Sequence, residues 1–237
     1  MIWVTTLGGR LMFFRNTGWL SGAVVLVTTI LATGVLAKTQ ITQKSSSTKS
    51  TASANKWADV KGFRSARFGM NEKSVLKTIA KDFKIPRNKV KRNVHPEEKT
   101  VSLEVEVPEV LSEGGKAVVG YVFGYKSKKL IQVNVVWGTP VDAKPDARNI
   151  VNNANRLRSH FIKKKYQKDG YVTNAKMDES RIIVFRGKDQ EGRMVLMILT
   201  DPEKNEKKGF FRDITLRLSY ILQPDSPDIL TIKEGDF

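Results

Sequence analysis

The sequence predicts an α+β fold: two tandem αβββ units, an antiparallel sheet with the helices on one face, and a hydrophobic helix before them. Three observations lead to this prediction. In residues 121–138, two runs rich in β-branched and aromatic residues flank the polar tetrapeptide 126–129, which is typical of a β-hairpin. A helical pattern of apolar residues precedes this hairpin, and a second one follows it. Alternating apolar and polar residues then indicate half-buried strands after each helix.

Composition limits the classes of protein that remain. The chain has 237 residues, 40% of them hydrophobic, which is enough to bury one or two cores. Its 41 Lys and Arg against 24 acids give a net charge of +17, so a polyanionic neighbour or a soluble, self-repelling surface both fit. No cysteine is present, which excludes disulfides, thiol catalysis, cysteine zinc sites and a lipid-modified N-terminal cysteine.

The first 37 residues are predicted to be a signal peptide or a membrane anchor. Residues 16–37 carry no charge, and Arg10 and Arg15 precede the apolar block 19–37. Small residues before Lys38 suit cleavage, whereas about 19 residues at 1.5 Å each would span roughly 28 Å of an inner membrane as an anchor. A core helix is the third alternative. The first two predict export to the periplasm, with residues 38–55, nine of which are Ser or Thr, as a flexible linker.

The first unit is assigned to residues 56–140. A short strand at 61–68 leads to a helix that Asn71 caps and Pro86 ends. After a basic loop come a strand at 101–107, a strand at 117–125 and the second strand of the hairpin. The apolar positions of the helix recur at helical spacing: Val75, Leu76, Ile79, Ala80 and Phe83.

The second unit is assigned to residues 141–223. Its helix starts at Pro145 and Asp146, carries one apolar stripe and is expected to end at the Asp169-Gly170 pair. Strands are predicted at 181–186, 193–200 and 210–221, with an added strand at 171–176. In the last strand, apolar residues alternate with Thr215, Arg217 and Ser219. The tail 224–237 is expected to be loose.

One segment resembles a known family. Phe68-Gly69-Met70-Asn71-Glu72-Lys73-Ser74-Val75, opening a helix that a meander follows, is similar to the Gly-Met-Thr-x-x-x-Val signature of the small outer-membrane protein A lipoproteins, which assist outer-membrane assembly. Through that family it resembles the β-lactamase-inhibitor-protein-like fold of tandem α/β repeats. The lipidation cysteine is absent, and Ile85-Pro86 stands where the family has Gly-x-Pro. The resemblance implies a protein-binding or assembly module of a bacterial envelope.

Candidate chemistry is sparse. The sequence has two histidines: His160 is expected on the solvated flank of its helix, and His95 precedes Pro96-Glu97-Glu98, consecutive loop residues that rarely close a metal site. No phosphate-binding glycine loop, nucleophile elbow or paired-histidine motif occurs. We therefore expect a non-catalytic protein with no cofactor and no metal site. An enzyme of unrecognised type is the third alternative, after a protein-binding module and a binder of anionic lipid or polysaccharide.

Aromatic residues of the hairpin form the first candidate surface. Strict alternation places Tyr121, Phe123 and Tyr125 on one face of the strand, with Gly120 and Gly124 on the other. If the helices pack on the glycine side, the aromatic side is an open face for an envelope protein partner. The alternative is that the aromatic residues form the core. The predicted partner-binding residues are Tyr121, Phe123, Tyr125 and Trp137.

Basic residues form the second candidate surface, for anionic lipid or polysaccharide. They fall in two clusters and the alternative is a solvated face, with the helix dipole explaining part of the second cluster. Nucleic acid is not expected, because it conflicts with export and no aromatic-interleaved motif is present. The members are Lys81, Lys84, Arg87, Lys89, Lys91 and Arg92 in the first cluster, and Arg156, Arg158, Lys163, Lys164 and Lys165 in the second.

Overall fold

A computed structural model describes residues 56–201 and 213–231. The predicted hydrophobic segment, the linker, the start of the predicted strand 210–221 and the end of the tail lie outside these ranges. The described part is α+β, with two α-helices and a large antiparallel sheet, as the sequence predicts. Neither helix of this part has the length and apolar character needed to cross a bilayer.

Eight strands form the main sheet, in the order β3-β4-β5-β6-β10-β9-β8-β7, and every neighbouring pair is antiparallel. In chain order, each helix is followed by four of these strands instead of the predicted three, because β3 and β7 add a strand at each edge of the sheet. Strand β6 pairs with β10 where the two sets meet. The elements are β1 (Gly62–Phe63), β2 (Ala66–Arg67), α1 (Glu72–Phe83), β3 (Lys91–Val94), β4 (Val101–Val107), β5 (Ala117–Phe123), β6 (Leu130–Gly138), α2 (Ala147–Phe161), β7 (Val172–Lys176), β8 (Arg181–Lys188), β9 (Met194–Thr200) and β10 (Thr215–Ile221).

Both helices begin where the sequence predicts a helix start. The Asn71 side chain accepts the Ser74 N–H at 2.9 Å, and Asp146 Oδ1 accepts the Arg148 N–H at 2.9 Å. Helix α1 ends at Lys84, whose left-handed backbone (φ 59°) donates its N–H to the Ala80 carbonyl. The predicted Asn71 cap is therefore confirmed, and α2 begins at the predicted Pro145-Asp146 pair, where Asp146 is the cap.

Helix α2 is shorter than predicted. It ends at Phe161 rather than at the Asp169-Gly170 pair. The reason is a competing backbone contact: the Lys165 N–H donates to the Lys56 carbonyl at 3.0 Å, and the Lys165 carbonyl accepts the Ala58 N–H at 2.8 Å. Pairing with the segment before β1 draws the chain out of helical geometry.

Three strand predictions are also settled by the structure. The predicted strand 61–68 is a hairpin of two-residue strands, because Arg64 turns the chain with a left-handed φ of 51°. The basic loop contains β3, whose four residues are all exposed and which pairs with β4 at the sheet edge. A four-residue edge strand with Lys and Arg buries no apolar face, so alternation could not reveal it. The added strand at 171–176 is confirmed as β7.

The core lies between the sheet and the two helices. Alternate residues of neighbouring strands meet through the register, for example Leu103 opposite Tyr121, and Tyr121 opposite Val133. These side chains belong to one buried cluster that also holds Val75 of α1 and Ile150 of α2. Both helices therefore pack on the same face of the sheet.

A ring cluster closes the α2 end of this core. Phe185 of β8 lies 5.3 Å from the Phe161 ring and 5.1 Å from the Tyr166 ring, measured between centroids, and Tyr171 is 5.8 Å away. Such pairs contribute about 0.5–1.5 kcal/mol beyond the area they bury.

A buried carboxylate joins the N-terminal segment to the second half of the sheet. Asp189 is 1% exposed, and its Oδ2 accepts the Val60 N–H and the Arg193 Nε–H, both at 2.8 Å. Arg193 also pairs with Asp59 at 3.0 Å. These contacts, together with the backbone hydrogen bonds of Lys56 and Ala58 to Lys165, hold the segment before β1 against the second half of the chain.

The C-terminal tail is anchored rather than loose. The Asp228 carboxylate accepts hydrogen bonds from the backbone N–H groups of Lys126 and Ser127, each at 2.9 Å. The backbone carbonyl of Asp228 accepts the Tyr125 N–H at 2.8 Å. Gly124 makes room for this contact, because a Cβ there would lie 2.1 Å from Asp228 Oδ2. The Leu230 N–H also donates to the Glu98 carbonyl, at 2.9 Å. The prediction of a loose tail is therefore wrong for its described part, which holds the β5–β6 turn through Asp228.

Candidate functional site: the open face of the sheet

The aromatic residues of the hairpin lie in the core. Tyr121 is 0% exposed, and Phe123 and Trp137 are each 1% exposed, all within the cluster beneath the helices. The prediction that these three form an open partner-binding face is therefore wrong. Each large ring buries about 150–250 Å², worth roughly 4–6 kcal/mol at most, so packing the helices on this side is favoured over packing them on the glycine side. Tyr125 lies beyond the end of β5, half-buried, with Lys128 Nζ 5.0 Å from its ring centroid.

The opposite side of the sheet carries neither helix, and we call it the open face. Its members follow from strand alternation and register. They include Glu104 and Glu106 of β4; Val118, Gly120 and Val122 of β5; Gln132, Asn134 and Val136 of β6; Arg217 and Ser219 of β10; Met194, Leu196 and Ile198 of β9; and Arg181, Ile183, Arg186 and Lys188 of β8.

Apolar side chains occupy the middle of the open face. Val136 and Ile198 are 8% and 9% exposed, yet neither belongs to the buried cluster under the helices. They lie on strands β6 and β9, on either side of β10. Leu196 and Ile183 extend the apolar surface toward β8 and are half-buried. Covering the exposed part of such a surface with a partner removes it from water, which is favourable by about 25 cal/mol per Å² of apolar area.

A short polar track and a depression lie beside this apolar patch. Asn134 Oδ1 accepts hydrogen bonds from Gln132 Nε2 and from Ser219 Oγ, both at 2.8 Å. Next to Asn134 on β5 is Gly120, where a Cβ added to the backbone would meet Glu104 Cγ as its nearest neighbour, at 3.9 Å. The missing side chain therefore leaves space on the open face instead of admitting a helix.

Arg217 stands at the centre of the open face. It faces Val136 on β6 and Ile198 on β9, and it is half-buried. Burial lowers the pKa of its guanidinium from the usual value, and the positive charge of Arg181 lowers it further. Within the described ranges, no hydrogen bond or ion pair to Arg217 is found. A cation with reduced hydration and no counter-charge is costly.

The other cations of the open face have intramolecular partners. Arg181 pairs with Asp178 at 2.5 Å. The hydrogen bond from the Ser180 N–H is the largest cause that lowers the pKa of Asp178 to about 2, and the hydrogen bond from Arg181 is the next. Lys188 pairs with Asp225 at 2.7 Å. Arg186 donates through its Nε to the Gly170 carbonyl at 2.9 Å. Arg217 therefore differs from these three cations in having no hydrogen-bond or ion-pair partner among the described residues.

The structure brings part of the first basic cluster together. Lys84, Lys89 and Lys91 line an open groove of about 470 Å³ at the β4 edge, which Ile85 and Pro86 also line. Acidic residues share it: Glu104 and Glu106 are part of the lining, and Lys91 Nζ lies 3.5 Å from Glu106 Oε1. Lys81 and Arg87 are exposed nearby in sequence, while Arg92 pairs with Glu72 at 2.9 Å. The groove is therefore mixed in charge.

The second basic cluster is partly structural. Arg156 donates to the Ser112 carbonyl and Arg158 to Asn174 Oδ1, each at 2.7 Å. Lys165 is fixed by its backbone contacts to the N-terminal segment. Lys163 and Lys164 are exposed. These residues do not converge on one groove in the described part of the chain.

The histidines make local contacts. His95 Nδ1 accepts the Glu98 N–H at 3.1 Å. His160 is exposed, as predicted, and its ring lies edge-on to Phe161 at 5.3 Å. Burial lowers the pKa of His160, and Lys164 and Lys163 add to this effect. Within residues 56–201 and 213–231, no group of three or more potential metal ligands is found.

The sequence patterns do not single out Arg217 as a candidate site residue. Alternation along β10 correctly predicts that Arg217 lies on the polar side of the strand, and that its sequence neighbours Leu216 and Leu218 lie on the other side. The polar side of a strand is normally predicted to face solvent. The apolar neighbours of Arg217 belong to β6 and β9, so the sequence of β10 alone does not show them. Pairing of β10 with both strands is a long-range fact that no local pattern contains.

Comparison with models of known protein families, with curated proteins and with solved structures finds no match to the chain.

Proposed function

We propose that this chain is an exported, non-catalytic binding protein of a bacterial envelope that recognises a protein partner through the open face. The single observation that carries the proposal is that Arg217, which has no hydrogen-bond or ion-pair partner in the described part of the chain, lies between Val136 and Ile198 on the sheet face that neither helix of that part covers. Arginine set among apolar residues is typical of interface centres. The proposed partner surface is thus the opposite side of the sheet from the aromatic residues.

Location in the periplasm, with or without a tether to the inner membrane, belongs to the same proposal and depends on residues 16–37. We also propose that the two sets of one helix and four strands are tandem units, related to the β-lactamase-inhibitor-protein-like repeats that the segment from Phe68 to Val75 resembles. The order of elements and the junction between β6 and β10 support this proposal.

Site-specific photocrosslinking tests the proposed surface. A benzophenone amino acid at Leu196 or Val122, both half-buried on the open face, is expected to give a discrete protein adduct in cells of the source organism. Lys73 and Lys77, exposed on α1, are the matched control positions and are expected to give none. Adducts from α1 alone would refute the proposal.

A surface-filling variant then tests function with the purified partner. Gly120→Val adds a branched side chain where the open face has space, and valine is favoured over glycine in a strand. We expect partner binding to weaken by about tenfold or more while the free energy of unfolding is unchanged or higher. Gly120→Ala, a smaller change at the same position, should have an intermediate effect.

A second candidate function is binding of anionic lipid or polysaccharide. The observation that favours it is the convergence of Lys84, Lys89 and Lys91 on the groove at the β4 edge. Sedimentation with phosphatidylglycerol vesicles tests it: binding should fall steeply between low and high salt, and should be lost when the three lysines are replaced by glutamine. Binding that does not change with salt would count against this function.

A further inference from the structure

Arg217 lacks a counter-charge, among the described residues, at the place where the open face is most apolar. Its strand neighbours in the register are Val136 and Ile198, each less than a tenth exposed. Water cannot fully hydrate a guanidinium in such surroundings, and hydrogen bonds to an anion are the usual compensation. No anion within residues 56–201 and 213–231 fills this role, although the other cations of the open face each have an acceptor.

We infer that Arg217 binds a carboxylate of the protein partner, an Asp or Glu side chain that apolar residues flank. This inference rests on the proposed function, because it assigns the chemistry of the group that docks on the open face. A carboxylate matches the planar guanidinium and can accept two parallel N–H bonds. Its charge replaces the missing counter-charge once the partner has displaced water.

The surroundings favour a protein carboxylate over a phosphate-rich lipid or a polysaccharide. Ile183 and Leu196, both half-buried, present apolar surface on the β8 and β9 side of Arg217. The buried Val136 and Ile198 flank Arg217 on β6 and β9. A headgroup or sugar would have to leave its polar atoms against these side chains without hydrogen bonds. A protein segment with apolar residues beside one acid satisfies both the patch and the cation.

If Arg217 binds a carboxylate of the partner, its side chain should contribute to the affinity for the partner and not to the stability of the fold. Arg217→Gln removes a poorly hydrated charge and its repulsion from Arg181. We therefore expect the melting temperature of the full-length variant to be unchanged or higher. A residue with a purely structural role would instead lower it.

Display of short random peptides tests the chemistry and does not require the partner to be identified. Peptides are selected on full-length wild-type protein, and binders to the open face are defined as those that lose affinity for the Gly120→Val variant. We expect these binders to share an Asp or Glu between apolar residues, and to lose about 30-fold or more in affinity for Arg217→Gln. Arg217→Lys should restore part of the loss, and Arg217→Glu should bind peptides in which the acid is replaced by Lys.

Three other results would contradict the carboxylate inference. If peptides bind the open face but carry no shared acid, or bind Arg217→Gln as tightly as wild type, the carboxylate inference is overturned and the proposed function remains. If no selected peptide is sensitive to Gly120→Val, both are overturned. If phosphatidylglycerol vesicles bind and Arg217→Gln abolishes that binding, the occupant is a lipid and the inference is again wrong.

Discussion

Replacing Tyr121 tests which side of the sheet is the core. Tyr121→Ala removes a ring that is 0% exposed, and substitutions of this kind cost about 3–5 kcal/mol of unfolding free energy because they leave a cavity. Tyr125→Ala is the matched control, since Tyr125 is half-buried beyond the strand end and has Lys128 beside its ring. Losing that contact should cost only about 1 kcal/mol.

Tyr121→Phe sharpens the same test. The Tyr121 hydroxyl is buried and has no hydrogen-bond partner in the described part of the chain. Burying a hydroxyl without a partner costs about 1–3 kcal/mol, so phenylalanine should equal or exceed tyrosine in stability. Burial also raises the pKa of Tyr121, with the negative charge of Asp82 adding to the effect, so the phenol should ionise only when the protein unfolds.

Urea unfolding of the full-length variants, followed by circular dichroism, measures all three free energies. The expected order of stability is Tyr121→Phe at or above wild type, Tyr125→Ala slightly below, and Tyr121→Ala far below. Equal and small losses for the two alanine variants would refute the placement of Tyr121 in the core. A clear loss for Tyr121→Phe would show that its hydroxyl has a partner.

Three further predictions concern the fold. Asp228→Asn should lose about 1–3 kcal/mol of unfolding free energy at neutral pH, whereas Asp225→Asn, an exposed control on the same segment, should lose less than about 1 kcal/mol in the same urea titration. Burial tends to raise the pKa of Asp228, but hydrogen bonds from Ser127 and Lys126 outweigh it and lower the pKa below its usual value. The advantage of Asp228 is therefore present above a pH of about 4 and should be lost as the pH falls through the lowered pKa. Gly124→Ala should destabilise by a similar amount and add little to Asp228→Asn, because its Cβ would displace the same carboxylate; additive losses would show independent effects. Phe185→Ala should cost about 3–5 kcal/mol in thermal unfolding because it opens the ring cluster with Phe161, and a loss below about 1 kcal/mol would contradict that packing.

Local sequence patterns predict the elements well wherever one side of an element is buried. Strand β4 is predicted to the residue, since Val101 to Val107 alternate with polar residues. The Asn71 cap and its helix follow from helical spacing and from capping chemistry. Strand β3 could not be predicted, because a strand with both sides exposed has no hydrophobic period.

Long-range contacts explain what the sequence could not predict at the candidate site. The helix-covered side of β5 depends on which face the rest of the chain fills, so local alternation allows either Tyr121 or Gly120 to face the core. The significance of Arg217 depends on Val136 and Ile198, which are far away in sequence and meet it only through the register. The anchoring of the tail likewise depends on one carboxylate reaching a distant turn.

The most direct test of the open face as the binding surface is a comparison of two neighbouring residues that point to opposite sides of β5. The dissociation constant of the partner captured by crosslinking at Leu196 is measured for wild type, Gly120→Val and Tyr121→Phe. The open face predicts that Gly120→Val weakens binding by about tenfold or more and that Tyr121→Phe leaves it unchanged. Loss of binding in Tyr121→Phe, with full binding in Gly120→Val, would contradict it.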